Sequence, residues 1–372
     1  MNSLLEWLAL SLAPGLGPRG WKKLMGEYDD PGRVLNSSAN ELQKRVPGLN
    51  SKVYAGIQKD NLKKAAEKEL QKAEMLEVSI IPQMDSAFPD LLKNIHDPPP
   101  LLYIKGNPDL ISSNCIGMVG ARASTTYGQR IATDLSRRLT LRGVTVVSGL
   151  ALGIDTASHQ GALRGSGATV GVLGCGIDVI YPRQNKNLYG EIALHGAIVS
   201  EYPFGTRPDA FRFPARNRII SGLSLGVIVV EAARKSGSLI TADFALEQGR
   251  DVFAIPGRVD SSKSEGTHRL LQNGAKLVHT IEDIMEELPV FAVPEKQGQK
   301  ESESGSEAYT LTEDEQNLLC FMDIYPQAID TLIQKSGLLP QKVNELLLTM
   351  ELKGVVDSLA GQQFQLRSQL KI

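Results

Sequence analysis

With only three cysteines in 372 residues, Cys115, Cys175 and Cys320, far apart and without metal-ligand spacing, the chain points to a reduced, intracellular protein with no Cys/His metal site. An excess of charge of one sign is also lacking. Lys and Arg number 40 against 42 Asp and Glu, and the net charge of −2 excludes a generally polycationic nucleic-acid coat, though not a local basic groove. No apolar run reaches membrane-spanning length before a charge interrupts it, and residues 1–14 carry Glu6 where a signal peptide has a basic segment. A cytoplasmic location with no membrane partner is expected. Nucleotide signatures are missing as well. There is no Gly-x-x-x-x-Gly-Lys-Ser/Thr, residues 117–120 are not Gly-x-Gly-x-x-Gly, and Gly174-Cys175-Gly176 lacks the third glycine and the ribose-binding acid. No dinucleotide or other cofactor is expected.

What is present centres on residues 115–159. A short apolar run (115–119) reads as a buried strand. Gly120-Ala121-Arg122-Ala123-Ser124-Thr125 follows, then a helical segment to Leu141. Residues 144–147 read as a second buried strand, ending in the small-residue turn from Ser148 and Gly149 to Asp155 before another helix. Parallel strands would place both turns at the C-terminal sheet edge, where open α/β sheets bind ligands. Free N–H groups and the positive helix ends favour an anion there, and Arg122 makes that anion a phosphate. Asp155 and His159 at i, i+4 could be half a metal site or an acid–base couple. A hydrogen bond fixing the turn after Gly153 is the reading adopted.

The length calls for two or three domains. Residues 1–76 look all-helical, with two Pro-Gly-Leu turns, at Pro14 and Pro47, in the pattern of helix-hairpin-helix (SAM-like) units. Such turns can hold a DNA phosphate, or can be ordinary punctuation in a small bundle. Residues 78–82 and 101–104 read as strands that lengthen the coming sheet on one side. The core, 77–288, alternates strand and helix, with further strands at 168–173, 197–200, 225–230 and 251–255. That predicts a parallel, doubly wound sheet of α/β class. Residues 289–308 read as a linker. Residues 309–372 predict three helices and a hairpin through Ala360-Gly361, a winged helix. Acids outnumber bases across this last unit, so protein contact or a structural role is favoured over DNA contact.

The most informative cluster is Phe211-Arg212-Phe213-Pro214-Ala215-Arg216-Asn217-Arg218. Arginine suits bidentate phosphate binding and base stacking. Charge for the backbone, a ring for stacking and an amide for a base edge are the components of single-strand binding. The structural alternative is that Arg216 or Arg218 pairs with Glu201 or Glu231, and one of the two is expected to do so. Lys235 and Ser236 mark a third small-residue turn into a helix. Several anion-prone turns on one edge suit a threaded polyanion better than one small ligand.

These motifs, with Tyr181-Pro182, Ser236-Gly237-Ser238-Leu239-Ile240-Thr241 and Ala254-Ile255-Pro256-Gly257, resemble in order and spacing those of the DprA/Smf family of bacterial DNA-processing proteins. The resemblance covers nearly the whole chain. It implies an extended Rossmann-like core between helical and winged-helix domains. It also implies a non-enzymatic mediator that binds incoming single-stranded DNA in natural transformation, forms a homodimer through the core, and recruits the RecA recombinase. Carried over by position, it makes Arg122 the arginine of a phosphate turn and Phe213, Arg216, Asn217 and Arg218 a DNA-pocket motif, with dimer contacts near 266–271. Leu152 and His268 depart from the pattern, standing where many members have Arg and Asn. The competing expectation is a nucleotide-processing enzyme of phosphoribohydrolase type, with Glu201 or Glu231 as its carboxylate. The chain lacks the Pro-Gly-Gly-x-Gly-Thr turn such enzymes carry.

Overall fold

The computed structural model describes residues 2–57, 61–288, 311–323, 326–359 and 361–366. The expected linker at 289–308 and Ala360 of the expected hairpin lie outside them. The chain forms two compact units, Met1–Pro294 and Glu295–Ile372.

The first unit is built on a nine-stranded sheet. Its strands in chain order are β1 (Val78–Pro82), β2 (Leu101–Gly106), β3 (Cys115–Val119), β4 (Thr145–Ser148), β5 (Thr169–Leu173), β6 (Ala197–Ser200), β7 (Gly226–Val229), β8 (Asp251–Ala254) and β9 (Lys276–Leu277). Side by side they run β1-β2-β6-β5-β4-β3-β7-β8-β9. The pairings of β1 with β2 and of β2 with β6 are antiparallel. Every pairing from β6 across to β9 is parallel. The extension at 78–104 thus lengthens the sheet on one side, with proline-ended β1 at the edge. The two-residue strand β9 is too short to show a sequence period.

Strands β3 to β7 are buried along their whole length, as a sheet covered on both faces requires. Helices Thr126–Leu141 and Ile154–Arg164 pack together on one face, and Arg212–Leu223 and Gly237–Glu247 on the other. The chain leaves β3 toward β4 and later returns to β7 on its other side. The crevice over β3 and β7 is therefore the point where strand order reverses, the usual ligand position in open α/β sheets. The six N-terminal helices, Asn2–Ser11 to Leu62–Met75, share one cluster of buried side chains with the sheet, Trp7 and Trp21 together with Tyr103, Leu150 and Ile198. Near their Pro-Gly-Leu turns, Tyr54 donates to the Val46 carbonyl (2.6 Å) and Lys22 to that of His96 (2.9 Å).

In the second unit, helices Glu313–Leu319, Ile329–Ser336 and Pro340–Leu352 pack around Leu318, Leu332, Val343 and Leu347. The wing is β11 (Val356–Leu359) against β12 (Gln363–Leu366). Gln327–Ala328 (β10) adds a short third strand, pairing with Phe364 and Gln363. The result is a winged helix.

Candidate nucleic-acid interface

Four parallel strands, β3, β4, β5 and β7, end in turns at one sheet edge. Because Ile116–Val119 pair with Gly226–Val229, the turn beginning at Gly120 and the exit at Val230 lie side by side, joined by the Val230 N–H to the Val119 carbonyl (3.1 Å). Over them opens a cleft of about 900 Å³. Gly120–Ala123 line one side, Ser236, Gly237 and Thr241 another, and Phe213, Arg216 and Asn217 the floor. A smaller recess of about 70 Å³ runs from the cleft toward Gly149, Leu152 and Gly174 and shares Arg122, Tyr181, Phe213 and Arg216 with it.

The structure thus brings Gly120, Arg122, Phe213, Arg216, Asn217 and Ser236 to one cleft and Gly149 to its recess. Arg122 is exposed on its turn, with the guanidinium 5.4 Å from the centre of the Phe213 ring. On Phe213, in turn, lies Tyr181, its ring centre 5.5 Å away and the planes inclined by 30°. Guanidinium, ring and ring form a graded platform, cationic at one end and 41% exposed at the Tyr181 end. Gly174 makes room for it, since a Cβ there would come within 3.0 Å of Phe213. Tyr181 was part of the motif pattern but not singled out as a contact residue. Only its stacking on Phe213, 32 positions away in the chain, gives it that role.

Four expectations need correction. Arg218 does not face the cleft. It is buried in a bidentate ion pair with Glu201 (2.9 and 2.7 Å) and also donates to the Asp97 carbonyl (3.1 Å). Burial works against its charge, but the Glu201 carboxylate outweighs this and holds the guanidinium above its ordinary range. Ser148 is likewise turned inward, donating to the Met118 carbonyl (2.7 Å). Lys235 is exposed on the third turn but does not line the cleft.

Fourth, the first two helix N-termini are not open anion sites. Glu231, buried, accepts from the Thr125 N–H (2.9 Å) and hydroxyl at the start of helix Thr126–Leu141, against Gly128, where a Cβ would collide with it. Asp155 accepts from the Ala151 N–H (3.3 Å) at the start of helix Ile154–Arg164. Each helix dipole already holds a carboxylate of the protein itself. At the third turn the Ser236 hydroxyl caps helix Gly237–Glu247, accepting from the Ser238 N–H, as the Thr125 hydroxyl also does for Gly128 in the first.

Arg216 lines the cleft yet is buried, donating to the carbonyls of Gly149 (2.6 Å) and Val172 and to Asn217 Oδ1 (3.2 Å). It ties the exits of β4 and β5 to the helix that carries it. Gly149 admits the guanidinium, which would lie 2.5 Å from a Cβ. Burial pulls Arg216 below its usual range, opposed by Asp155, and burial pushes the Asp155 carboxyl up, opposed by Arg216. His159 turns away from Asp155 and its Nδ1 meets Thr169 Oγ1 (2.8 Å). Burial, with Arg216 nearby, holds its imidazole down to about 3. A His that must stay neutral when folded stabilises the fold fully above its unfolded value near 6.5, and that contribution fades as pH falls toward 3. Urea midpoints should therefore drop as pH is lowered from about 7 to 4.5, and His159→Gln should flatten this part of the profile. A parallel profile in the variant would show that His159 is not the group responsible.

Leu152 opens on the recess, and His268 Nε2 lies 3.0 Å from the Gly257 carbonyl. Gly266, Thr267 and Leu270 of helix Glu265–Gln272 are buried, with the Gly266 N–H on the Ala232 carbonyl (2.8 Å). Only the other face of that helix is offered outward. No helix of the described residues is long and apolar enough to cross a membrane.

Residues 79–289 match the family of DNA recombination-mediator protein A, and residues 302–362 match the DprA winged helix domain. DNA processing protein DprA of Bacillus subtilis (strain 168) is 47% identical over 213 residues, 57% of this chain and 72% of that relative. The X-ray structure of DprA from Streptococcus pneumoniae, 38% identical, superposes with a TM-score of 0.66 over 75% of this chain and 96% of that one. DNA processing protein A from Helicobacter pylori, whose structure describes a single-stranded DNA binding mode, is 32% identical, with a TM-score of 0.52 over 57% of this chain and 96% of that one.

Proposed function

The chain belongs to the DprA/Smf family of DNA recombination-mediator proteins, and from that premise we propose that it binds single-stranded DNA without sequence preference and delivers it to a RecA-type recombinase. The observation that carries this reading is the stacked series Arg122–Phe213–Tyr181 on the floor of an open cleft: a cation for the backbone beside two rings for bases. The Helicobacter pylori relative's single-strand binding supports it. Gly120, Gly149, Asn217 and Ser236 would meet the strand through amides and short polar side chains. Arg216 would hold the turns in place. Partnership with the recombinase, a homodimer through the core, and action in the cytoplasm are the family's expectations carried to this chain.

Two contacts weigh against the enzymatic reading. Glu231 accepts from Thr125 and Glu201 from Arg218, so both carboxylates considered for nucleotide cleavage already have partners within the protein.

The test is an anisotropy titration of single- against double-stranded oligonucleotides across salt concentrations. Preference for the single strand, with affinity falling as salt rises, is expected. Equal binding to the duplex would overturn the reading. Within it, Tyr181→Ala should weaken oligonucleotide binding by about 1–3 kcal/mol while leaving the salt slope unchanged, since a ring contributes stacking and no charge.

A further inference from the structure

The wall of the cleft opposite the third turn is formed by Pro208, Asp209 and Ala210, part of the stretch that leaves β6 and runs to helix Arg212–Leu223. The first half of that stretch is gripped from behind, and the grip comes from the N-terminal helices. Glu69, on helix Leu62–Met75, accepts from the Phe204 N–H (2.7 Å) and from the Tyr103 hydroxyl (3.0 Å) with the same carboxylate oxygen. Lys72, one turn on, pairs with Asp178 (2.7 Å) and lies 5.0 Å from the Phe204 ring centre. Asp178 in turn accepts from the Gly205 N–H (2.7 Å). The Phe204 ring meets Tyr103 edge-on at 5.3 Å. Beneath, the Gly176 N–H donates to the Thr206 carbonyl (2.9 Å), and a Cβ on Gly176 would strike the Pro203 carbonyl at 2.7 Å.

Two successive N–H groups of an irregular segment thus end on two carboxylates, one supplied directly by the helical region and one locked by its lysine. Beyond them, Arg212 donates to the Arg207 carbonyl and lies over the Tyr202 and Phe211 rings, closing the stretch into a compact loop that ends at Phe211, 67% exposed.

We infer that helix Leu62–Met75 is a positioning element of the strand-binding cleft: through Glu69 and Lys72 it fixes residues 202–211 so that the wall stands ready before a strand arrives. This rests on the reading of the cleft as the strand's site. It gives the helical region a part in binding that requires no DNA contact of its own. A wall already ordered spares the strand the entropy of ordering it.

The experiment uses the full chain, with hydrogen exchange followed over residues 202–211 beside oligonucleotide titrations. Glu69→Ala is expected to speed exchange in that stretch and weaken single-strand binding about three- to tenfold, with the salt slope unchanged because no phosphate contact is lost. Glu69→Gln, which keeps an oxygen for Phe204, should restore both. Asp178→Ala removes the neighbouring hold, on the Gly205 N–H, from the sheet side, where it cannot unfold the helical bundle, and should reproduce the Glu69→Ala result. Unchanged exchange in 202–211, or unchanged affinity despite faster exchange, in Asp178→Ala would overturn the inference. Should Arg122→Ala also bind at full strength, the reading of the cleft itself fails. Should Arg122→Ala bind weakly while Asp178→Ala binds normally, only the positioning role fails.

Discussion

Arg122→Ala is expected to weaken single-stranded oligonucleotide binding by about tenfold or more, as the loss of one charge-assisted contact worth about 1.5–3 kcal/mol requires. The plot of log affinity against log salt should also become shallower by about 0.7, the counterion share of one phosphate on a single strand. The three arginines proposed for the strand have separate fates, which is why the effect concentrates here. Arg218 is neutralised by Glu201, and Arg216 has its donors on main-chain carbonyls and Asn217. Arg122 is exposed over the aromatic platform. Its charge disfavours the charged form of buried Arg216 and favours that of buried Asp155, so its removal has opposing effects inside the fold and the variant should fold normally. Arg122→Lys should keep the slope while losing part of the affinity, because an ammonium supplies the charge but not the planar fork that lies over Phe213. An unchanged slope in Arg122→Ala would take this residue off the path of the strand.

The second large effect is on stability. Arg218→Ala leaves Glu201, 7% exposed at its side chain, as an uncompensated buried carboxylate, and frees the Asp97 carbonyl that fixes the turn before β2. Breaking a buried pair from one side costs about 3–5 kcal/mol. A double replacement, Arg218→Met with Glu201→Leu, should recover most of that, because no charge then remains to be solvated. Urea unfolding of the three proteins gives the comparison. Under conditions where Arg218→Ala is still folded, its oligonucleotide affinity should stay within about twofold of the parent, well short of the tenfold that marks a lost contact. A tenfold loss of affinity without loss of stability would return Arg218 to the strand.

Much of this molecule was legible along the chain. Strands β1, β3 and β6 fall at the expected residues. Apolar runs bounded by Gly, Ser and Pro are local signals, and they survive folding because burial on both faces rewards them. The expectation that one arginine of the pair would meet a strand-end glutamate was also within reach, since buried carboxylates at strand ends need a partner. Which arginine it would be was not. Arg216 and Arg218 are two residues apart at one helix start, so they point in different directions around the axis. Only the placement of Glu201 beside one and the Gly149 and Val172 carbonyls beside the other assigned their roles.

The same division holds for the helix starts. That small-residue turns lead into helices at one sheet edge is a property of the sequence, since glycine spacing and apolar alternation act over a few residues. That the first of those starts is filled by Glu231 depended on the parallel registry of β3 and β7, whereas Asp155 fills the second from only four positions away, and the exposed guanidinium of Arg122 rather than a helix dipole is left to meet a phosphate. A carboxylate 106 positions from the N–H it caps leaves no trace in local pattern. Periodicity and turn chemistry decided the elements and their order; the packing of distant strands decided which charges remain free to act.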